Sequence, residues 1–511
     1  MSGLLPHLPA LIVVTPLLGG VLAPLCGKGP TKAWALATAV TWVTFALTCW
    51  LAVSVYDQGT AQYFVGTWGV GSAPGPLGAK DWTGIVGIEL RVDRLNALVL
   101  CLVAGMTAVI TPYARLSVAK EIPHDRLHFF YAVWLLCLTG LLGITVTGDA
   151  FNLYVLIEIS SLTTYILVAL GKSRDKRALT AAIRYLFMGT VGASFLLLGI
   201  GYLFMCTGTL NMAEMATRVA ELRDQRGIHT AFAFVLAGLS LKMALFPVHQ
   251  WLPKAYAYSP TAVSAFLAST ATKVAIYGAF RFLFTVFGTE FSFGVLDANS
   301  LLIACSCIAI LYGSLVAIRQ SDLKRLLAYS SVAQVGYMVL GMALANREAL
   351  TGTLVHMVNH ALVKGAMFLA VGCMIYRLGS AKVSDLNGLG KRMPLTTVCL
   401  IVGCLGLVGV PLTGGFVSKW YLVQGALRAG LWPVAVVLLV GSLLAVLYAM
   451  RIVEPLVFGK APEGEEVREA PPSMLLPTAA LLVGSLVLGV SGSLKTGLIW
   501  TATGDLLGVG Q

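Results

Sequence analysis

The sequence predicts an all-α polytopic membrane protein of about fourteen transmembrane helices, with two inverted five-helix repeats and two broken helices. Three observations lead there. Of the 511 residues, 58% are hydrophobic and 11% charged, with a mean hydropathy of +0.84, against about 25% charged in soluble proteins. Apolar runs of roughly 20 residues recur from near the N-terminus almost to the end, each long enough to cross a hydrocarbon core about 30 Å thick as a helix. Two of those runs are interrupted by proline and glycine at corresponding places. A soluble enzyme, a nucleic-acid binder and an outer-membrane barrel are excluded on this composition.

Read by hydropathy, the runs fall near residues 8–27, 33–56, 95–114, 128–147, 150–170, 179–206, 229–249, 262–288, 299–318, 325–344, 351–376, 395–427, 431–452 and 475–497, about fourteen helices. The first lacks the basic start and small-residue cleavage site of a signal peptide and reads as a retained anchor. The polar connection from Asp57 to Arg94, rich in Gly and Trp, suits a short hairpin.

The net charge of +12 is scattered among short loops, so it reports membrane topology and not a polyanion partner. One alternating set of loops holds Lys28 and Lys32; Arg115, Lys120 and Arg126; Lys172, Arg174, Lys176 and Arg177; Lys254; Arg319, Lys324 and Arg325; Arg377, Lys382, Lys391 and Arg392; and Arg451, Lys460 and Arg468. That is about 20 basic residues against about nine in the other set, which puts the first set in the cytoplasm of a cell (inner) membrane and both termini outside. Of ten cysteines, the closest pair, Cys305 and Cys307, lacks metal-site spacing, and all ten read as small apolar packing residues.

The seventh run passes through Lys242 to Phe246-Pro247, and the twelfth is broken at Gly409-Val-Pro-Leu-Thr-Gly-Gly415. Broken helices five spans apart are the signature of inverted repeats; two unrelated proline kinks are the other reading. The repeat reading divides the chain into an N-terminal unit of three helices (1–127), a first repeat of helices 4–8 (128–298), a second of helices 9–13 (299–456), and a C-terminal loop and helix (457–511).

A charge within a membrane helix costs at least about 2.5–3.5 kcal/mol on insertion scales and demands a reason. Glu158 lies in the middle of span 5, Lys242 in span 7 before its break, Lys273 in span 8, Lys364 in span 11 and Lys419 after the break in span 12. His356, His360 and Lys364 are four apart, on one helical stripe. Burial disfavours a charged amine and a nearby carboxylate favours it, so opening a Glu158–Lys242 pair can eject a proton; the alternative is an ion pair that fixes helix packing. For Lys273 and Lys419 the alternative is snorkelling. His249 reads equally as a capping residue or a proton donor, and Arg184 and Arg281, near span ends, read as snorkelling. With no cofactor motif in the chain, these groups make a proton path in the membrane plane. Ser269, Thr270, Thr272, Asn359 and Ser418 lie close enough in sequence to help.

At these residues the chain resembles the proton-conducting antiporter family shared by respiratory complex I, membrane-bound hydrogenases and Mrp-type cation/proton antiporters. The resemblance rests on Thr147-Gly-Asp-Ala-Phe-Asn-Leu-Tyr-Val-Leu-Ile-Glu158, Lys242-Met-Ala-Leu-Phe-Pro-Val-His-Gln-Trp-Leu-Pro253, Asp322 through Tyr337, His356 through Phe368, and Gly409 through Lys419. It implies fourteen helices, a cytoplasm-side half-channel around Glu158, Lys242 and Lys273, and an outer half-channel near Lys419 linked through the span-11 group. Lys419 and Thr207-Gly-Thr-Leu-Asn-Met212 are similar to the D-type subunit of Mrp antiporters, which implies other subunits as partners. Lys254 departs from the acid common after Trp-Leu-Pro and puts in doubt a cation-attracting mouth there.

Three functions follow: a proton-translocating subunit of a cation/proton (Na+/H+) antiporter; an antiporter-like pump subunit of a redox-driven complex, with translocase activity only there; and a passive scaffold. Aligned charges on five spans exceed what helix registry needs and argue against the scaffold. Glu158 is the one strong mid-membrane acid, so a dehydrated sodium site is not expected and protons are the expected cargo.

Overall fold

The computed structural model describes residues 4–27, 30–66, 87–173, 175–460, 467–491 and 495–508. Lys28, Arg174 and residues 67–86 of the polar connection lie outside the described residues. Helices α1 (Leu8–Leu22) and α2 (Pro30–Gln58) lead to a hairpin of β1 (Ala61–Val65) and β2 (Ile88–Val92). The strands pair antiparallel with Tyr63 opposite Leu90, as the composition of that connection suggested. Then come α3 (Arg94–Glu121), α4 (Leu127–Val146), α5 (Ala150–Ala169), α6 (Arg177–Thr207) and a short surface helix α7 (Met212–Glu221).

The seventh span is α8 (Arg226–Met243) and α9 (Trp251–Tyr258), and the eighth is α10 (Thr261–Ser269) and α11 (Ala271–Phe280). Next are α12 (Ala298–Ile318), α13 (Leu323–Leu344), α14 (Arg347–Leu378) and a single turn, α15 (Leu389–Arg392). The twelfth span is α16 (Pro394–Val408) and α17 (Gly414–Arg428), followed by α18 (Trp432–Phe458), α19 (Pro472–Val490) and α20 (Trp500–Leu507). Twelve helical segments of the described chain, α10 and α11 together counting as one, are long and apolar enough to cross a membrane. The two remaining expected spans are the two broken ones.

Asx caps set where several helices begin. Asp149 accepts from Asn152 N at 2.6 Å, Asp322 from Arg325 N at 2.9 Å and Asn346 from Ala349 N at 2.9 Å; each satisfies a backbone donor that the first turn leaves unpaired. Asp93 and Asn96 form a reciprocal capping box on α3. Two of these caps sit in matching surroundings: Asp149 bridges to Asn211, just beyond α6, and Asp322 bridges to Lys382, just beyond α14.

The breaks also match. Helix α8 ends on Ala244 and α16 on Gly409, both left-handed (φ 58° and 84°), a conformation that costs glycine nothing and alanine a steric penalty. In the second break the chain doubles back so closely that a Cβ on Gly415 would lie 2.0 Å from the Gly406 carbonyl oxygen. The first break reaches further than the sequence suggested. After residues 244–250 the chain resumes as α9, so Lys254 belongs to a helix inside the same span and not to a loop.

A third discontinuity was not expected. At Thr270 (φ −122°, ψ −59°) the eighth span breaks by one residue between α10 and α11. Polar contacts tie helix ends together at each end of the bundle: Arg94 with Asp505 near the hairpin, and Lys324 with the Ser259 carbonyl just after α9 at the opposite face. Large apolar side chains such as Phe187, Leu443 and Val487 face outward, as a lipid-facing surface requires.

Candidate functional site

The charged and imidazole side chains meet at the helix breaks. Lys242, in the last turn of α8, places its Nζ 3.5 Å from Glu158 Oε1 of α5 and donates to Ser161 Oγ at 2.9 Å. Ser161 is one turn beyond Glu158, so α5 presents both groups on one stripe. From this pair a cavity of about 40 Å³ runs between Ser160, Ser161, Thr164 and Lys242 on one side and Ala271, Val274, Ala275 and Gly278 of α11 on the other. That volume accommodates two or three waters, since one needs roughly 10–15 Å³.

Lys273 follows on α11 and is wholly buried. Its ammonium donates to the Ala268 carbonyl, which the break at Thr270 frees from helical bonding, and lies 3.5 Å from Thr272 Oγ1. Snorkelling, considered from the sequence, is not what this side chain does. The end of α10 that Lys273 caps packs against α14, with Ser269 beside Gly365, the neighbour of Lys364.

Lys364, also wholly buried, donates to the Leu327 carbonyl of α13 at 2.8 Å and to Ser330 Oγ. His360 is buried, and neither ring nitrogen has a hydrogen-bond partner among the described residues. Its ring lies parallel to that of His356, centroids 6.2 Å apart. His356 Nδ1 lies 2.8 Å from Ser418 Oγ, and Ser418 gives its own hydrogen to the Gly415 carbonyl at 2.9 Å. Ser418 therefore accepts from His356 Nδ1–H, which assigns the tautomer and leaves the Nε2 lone pair free.

The next residue, Lys419, donates to the Leu407 and Val408 carbonyls at 3.0 and 2.9 Å and sits over the Tyr337 ring, 5.0 Å from its centroid. A cation at the C-terminal carbonyls of a half-helix is electrostatically favourable, and this one is buried, not snorkelling. The seven expected residues thus form a series over α5, α8, α11, α14 and α17, in which Glu158 meets Lys242 and His356 meets His360.

The expected polar helpers divide. Ser418 and Thr272 touch the series, whereas Ser269 and Thr270 both bond the Phe266 carbonyl and Asn359 accepts from Ser485. His249 lies apart, between Phe246 and Tyr312 in a cavity with Arg184 and Lys254. Sequence reasoning missed Ser161, Ser330 and Tyr337, for which residue type gave no signal. Arg281 is a correction: it is buried and paired with Asp93 at 2.6 Å, not snorkelling. Its place eight residues from Lys273 and four from Tyr277, on one helical stripe, was the available clue. Arg184 is exposed, as a snorkelling residue is.

Residues 147–445 match the family described as NADH:quinone oxidoreductase/Mrp antiporter, transmembrane. The chain is 42% identical over 502 residues to NADH-quinone oxidoreductase subunit N of Desulforudis audaxviator, covering 95% of this chain and 96% of that one. It is 30% identical over 442 residues to the D-type subunit of the Na(+)/H(+) antiporter of Alkalihalophilus pseudofirmus, covering 86% and 85%. A chain of the Mrp complex from Dietzia sp. DQ12-45-1b superposes with a TM-score of 0.87 at 26% identity, over 99% of this chain and 98% of that one. The chain belongs to the NADH:quinone oxidoreductase/Mrp antiporter transmembrane family.

Proposed function

We propose that this multi-pass membrane protein is a proton-translocating subunit of a multi-subunit complex, passing protons along Glu158, Lys242, Lys273, Lys364, His360, His356 and Lys419. The observation that carries the reading is the succession of titratable groups on these helices, each ammonium held by a carboxylate, hydroxyl or backbone carbonyl. Opposite unit charges about 4 Å apart attract by about 4 kcal/mol at an effective dielectric of about 20. Opening the Glu158–Lys242 pair is worth nearly three powers of ten in an equilibrium constant, enough to drive a proton off the lysine.

Glu158 supports the expectation of partner subunits. Its side chain is 26% exposed, beside the outward-facing Val155, Ile159 and Leu162 on α5, and a carboxylate facing lipid is costly unless protein covers it. The matched Asp caps, bridges and breaks support two repeats, 128–298 and 299–456, flanked by 1–127 and 457–511. The loop charges support a cell-membrane location with both termini outside, so the hairpin side is the outer one.

Two driving modules fit. Likeness to the D-type antiporter subunit favours cation/proton antiport, and the higher identity to a quinone oxidoreductase subunit over nearly the whole chain favours a redox-driven pump. The test is the purified complex in liposomes, with proton uptake followed by a pH-sensitive dye. A sodium gradient alone drives uptake in the first case; only an electron donor with quinone does so in the second. Proton flux lost and sodium flux retained in Lys419→Ala would mean that the other cation crosses elsewhere in the complex. A sodium-dependent titration of Glu158 would refute a proton-only path.

His360→Ala should slow flux per assembled complex strongly, and His356→Ala by as much or less. Because His360 makes no hydrogen bond among the described residues, a purely structural role predicts little change in either. Unchanged flux per complex in the double variant would end the bridging role, and a water chain replacing the rings would soften both effects.

A further inference from the structure

Two cavities approach α11 from opposite sides. The first is the small one beside Lys242, which Gly278 and, on α4, Ile144 help to line. The second, about 800 Å³, lies under the hairpin and is lined by Arg91, Asp93, Asn96, Thr147, Tyr277 and Arg281 among others. Neighbouring residues of α11, Tyr277 and Gly278, thus line different cavities, and Tyr277 is bonded to Thr145, the residue next to Ile144.

Tyr277 is one member of a hydrogen-bonded cluster. The Thr145 carbonyl accepts from Tyr277 Oη at 3.0 Å and from Asn96 Nδ2 at 2.5 Å. Tyr277 Oη in turn accepts from Arg281 Nε at 3.0 Å, and the two hydrogens of Asn96 Nδ2 are shared among the Thr145 carbonyl, Tyr277 Oη at 2.8 Å and the Arg91 carbonyl at 2.9 Å. Arg281 Nη2 reaches Asp93 Oδ1 at 2.6 Å and also Asn96 Oδ1. Asp93 and Asn96 are themselves fixed by the capping box that starts α3. Tyr277 and Asn96 are 1% and 2% exposed.

A phenol has one hydrogen and two lone pairs; here the hydrogen goes to the Thr145 carbonyl and a lone pair takes the Arg281 Nε–H, and neither partner is a group that passes a proton onward. The guanidinium above it keeps its charge at any physiological pH and so releases no proton, and its positive charge offsets the Asp93 carboxylate that would otherwise attract one. We propose that Tyr277, Asn96, Asp93 and Arg281 form a proton seal, which keeps the half-channel around Lys242 and Lys273 from exchanging protons with the outer cavity. The inference rests on the proton path above: a path open to both faces at this point would short-circuit the gradient.

Lys273 and Arg281 are eight residues apart on the same stripe, about 12 Å at 1.5 Å per residue. At an effective dielectric of about 20, removing a unit charge at that distance changes the barrier for a proton at Lys273 by about tenfold in rate. The experiment is passive proton leak in liposomes holding the whole complex, under an imposed pH gradient with no driving substrate. Arg281→Gln should raise leak about tenfold, and Tyr277→Phe, which keeps the ring and frees its neighbours' bonds to water, should raise it less. Adding Lys273→Ala to either should return leak to the wild-type level.

Wild-type leak in both single variants overturns the seal, and so does raised leak that persists without Lys273, because it would then run outside the path. If Arg281→Gln fails to assemble, Tyr277→Phe alone decides the matter, being nearly isosteric. Failure of the underlying path is read separately: driven flux would then survive Lys242→Ala, whatever the leak.

Discussion

Glu158→Gln should reduce driven proton flux to less than about a tenth of wild type in complexes that assemble normally. The amide keeps the shape and can still accept from Lys242 Nζ, now 3.5 Å from Oε1, but supplies no charge to hold the ammonium in place. By the electrostatic argument above, the loss of about 4 kcal/mol of attraction leaves that lysine neutral throughout the cycle. With no proton to eject, the step stops. Glu158→Asp keeps the charge and shortens the reach, so it should retain partial flux. Flux equal to wild type in the glutamine variant, measured per assembled complex, would sink the pair as a switch. A loss of yield matched by unchanged flux per complex would instead mark it as a packing device.

Lys242→Ala and Lys419→Ala should each abolish coupled transport, and arginine should rescue neither. The two sites differ in what else the lysine does. Lys242 bonds side chains of α5, whereas Lys419 closes the end of α16 by bonding its last carbonyls. Lys419→Ala therefore leaves buried carbonyls unpaired, at about 1–3 kcal/mol each, and lower complex yield is expected beside the lost flux. Lys419→Arg supplies donors for the same carbonyls and should restore yield, yet its guanidinium cannot release a proton. Yield restored with flux still absent is the expected result. Full activity in either arginine variant would mean that positive charge alone suffices, and would favour the scaffold.

Membrane character, helix number and the seven candidate residues were legible in the sequence for one reason: hydrocarbon tolerates almost no charge, so each Glu, Lys or His within a span stood out against an apolar background. The breaks at Phe246-Pro247 and Gly409–Gly415 were legible because proline and glycine are chemically unlike their neighbours. The break at Thr270 carried no such mark. Thr-Ala-Thr-Lys reads as ordinary helix, and only the structure reveals that the Lys273 ammonium takes up the carbonyl freed there.

Arg281 misled for the opposite reason. Near a span end a lone arginine is cheap, because it can reach the surface, so its position alone gave no cause to look for a partner. That partner, Asp93, is 188 residues away on another helix. Thus the sequence by itself determined which helices cross the membrane and which side chains can hold a proton, because both depend on local chemistry and spacing. Only the tertiary structure decided which of those side chains meet, that Ser418 is bonded to His356, and that Tyr277 and Arg281 are bonded together beside the cavity under the hairpin. Most of those contacts join helices far apart in the chain, and their geometry is fixed by close packing of whole helices, to which no local pattern of residues points.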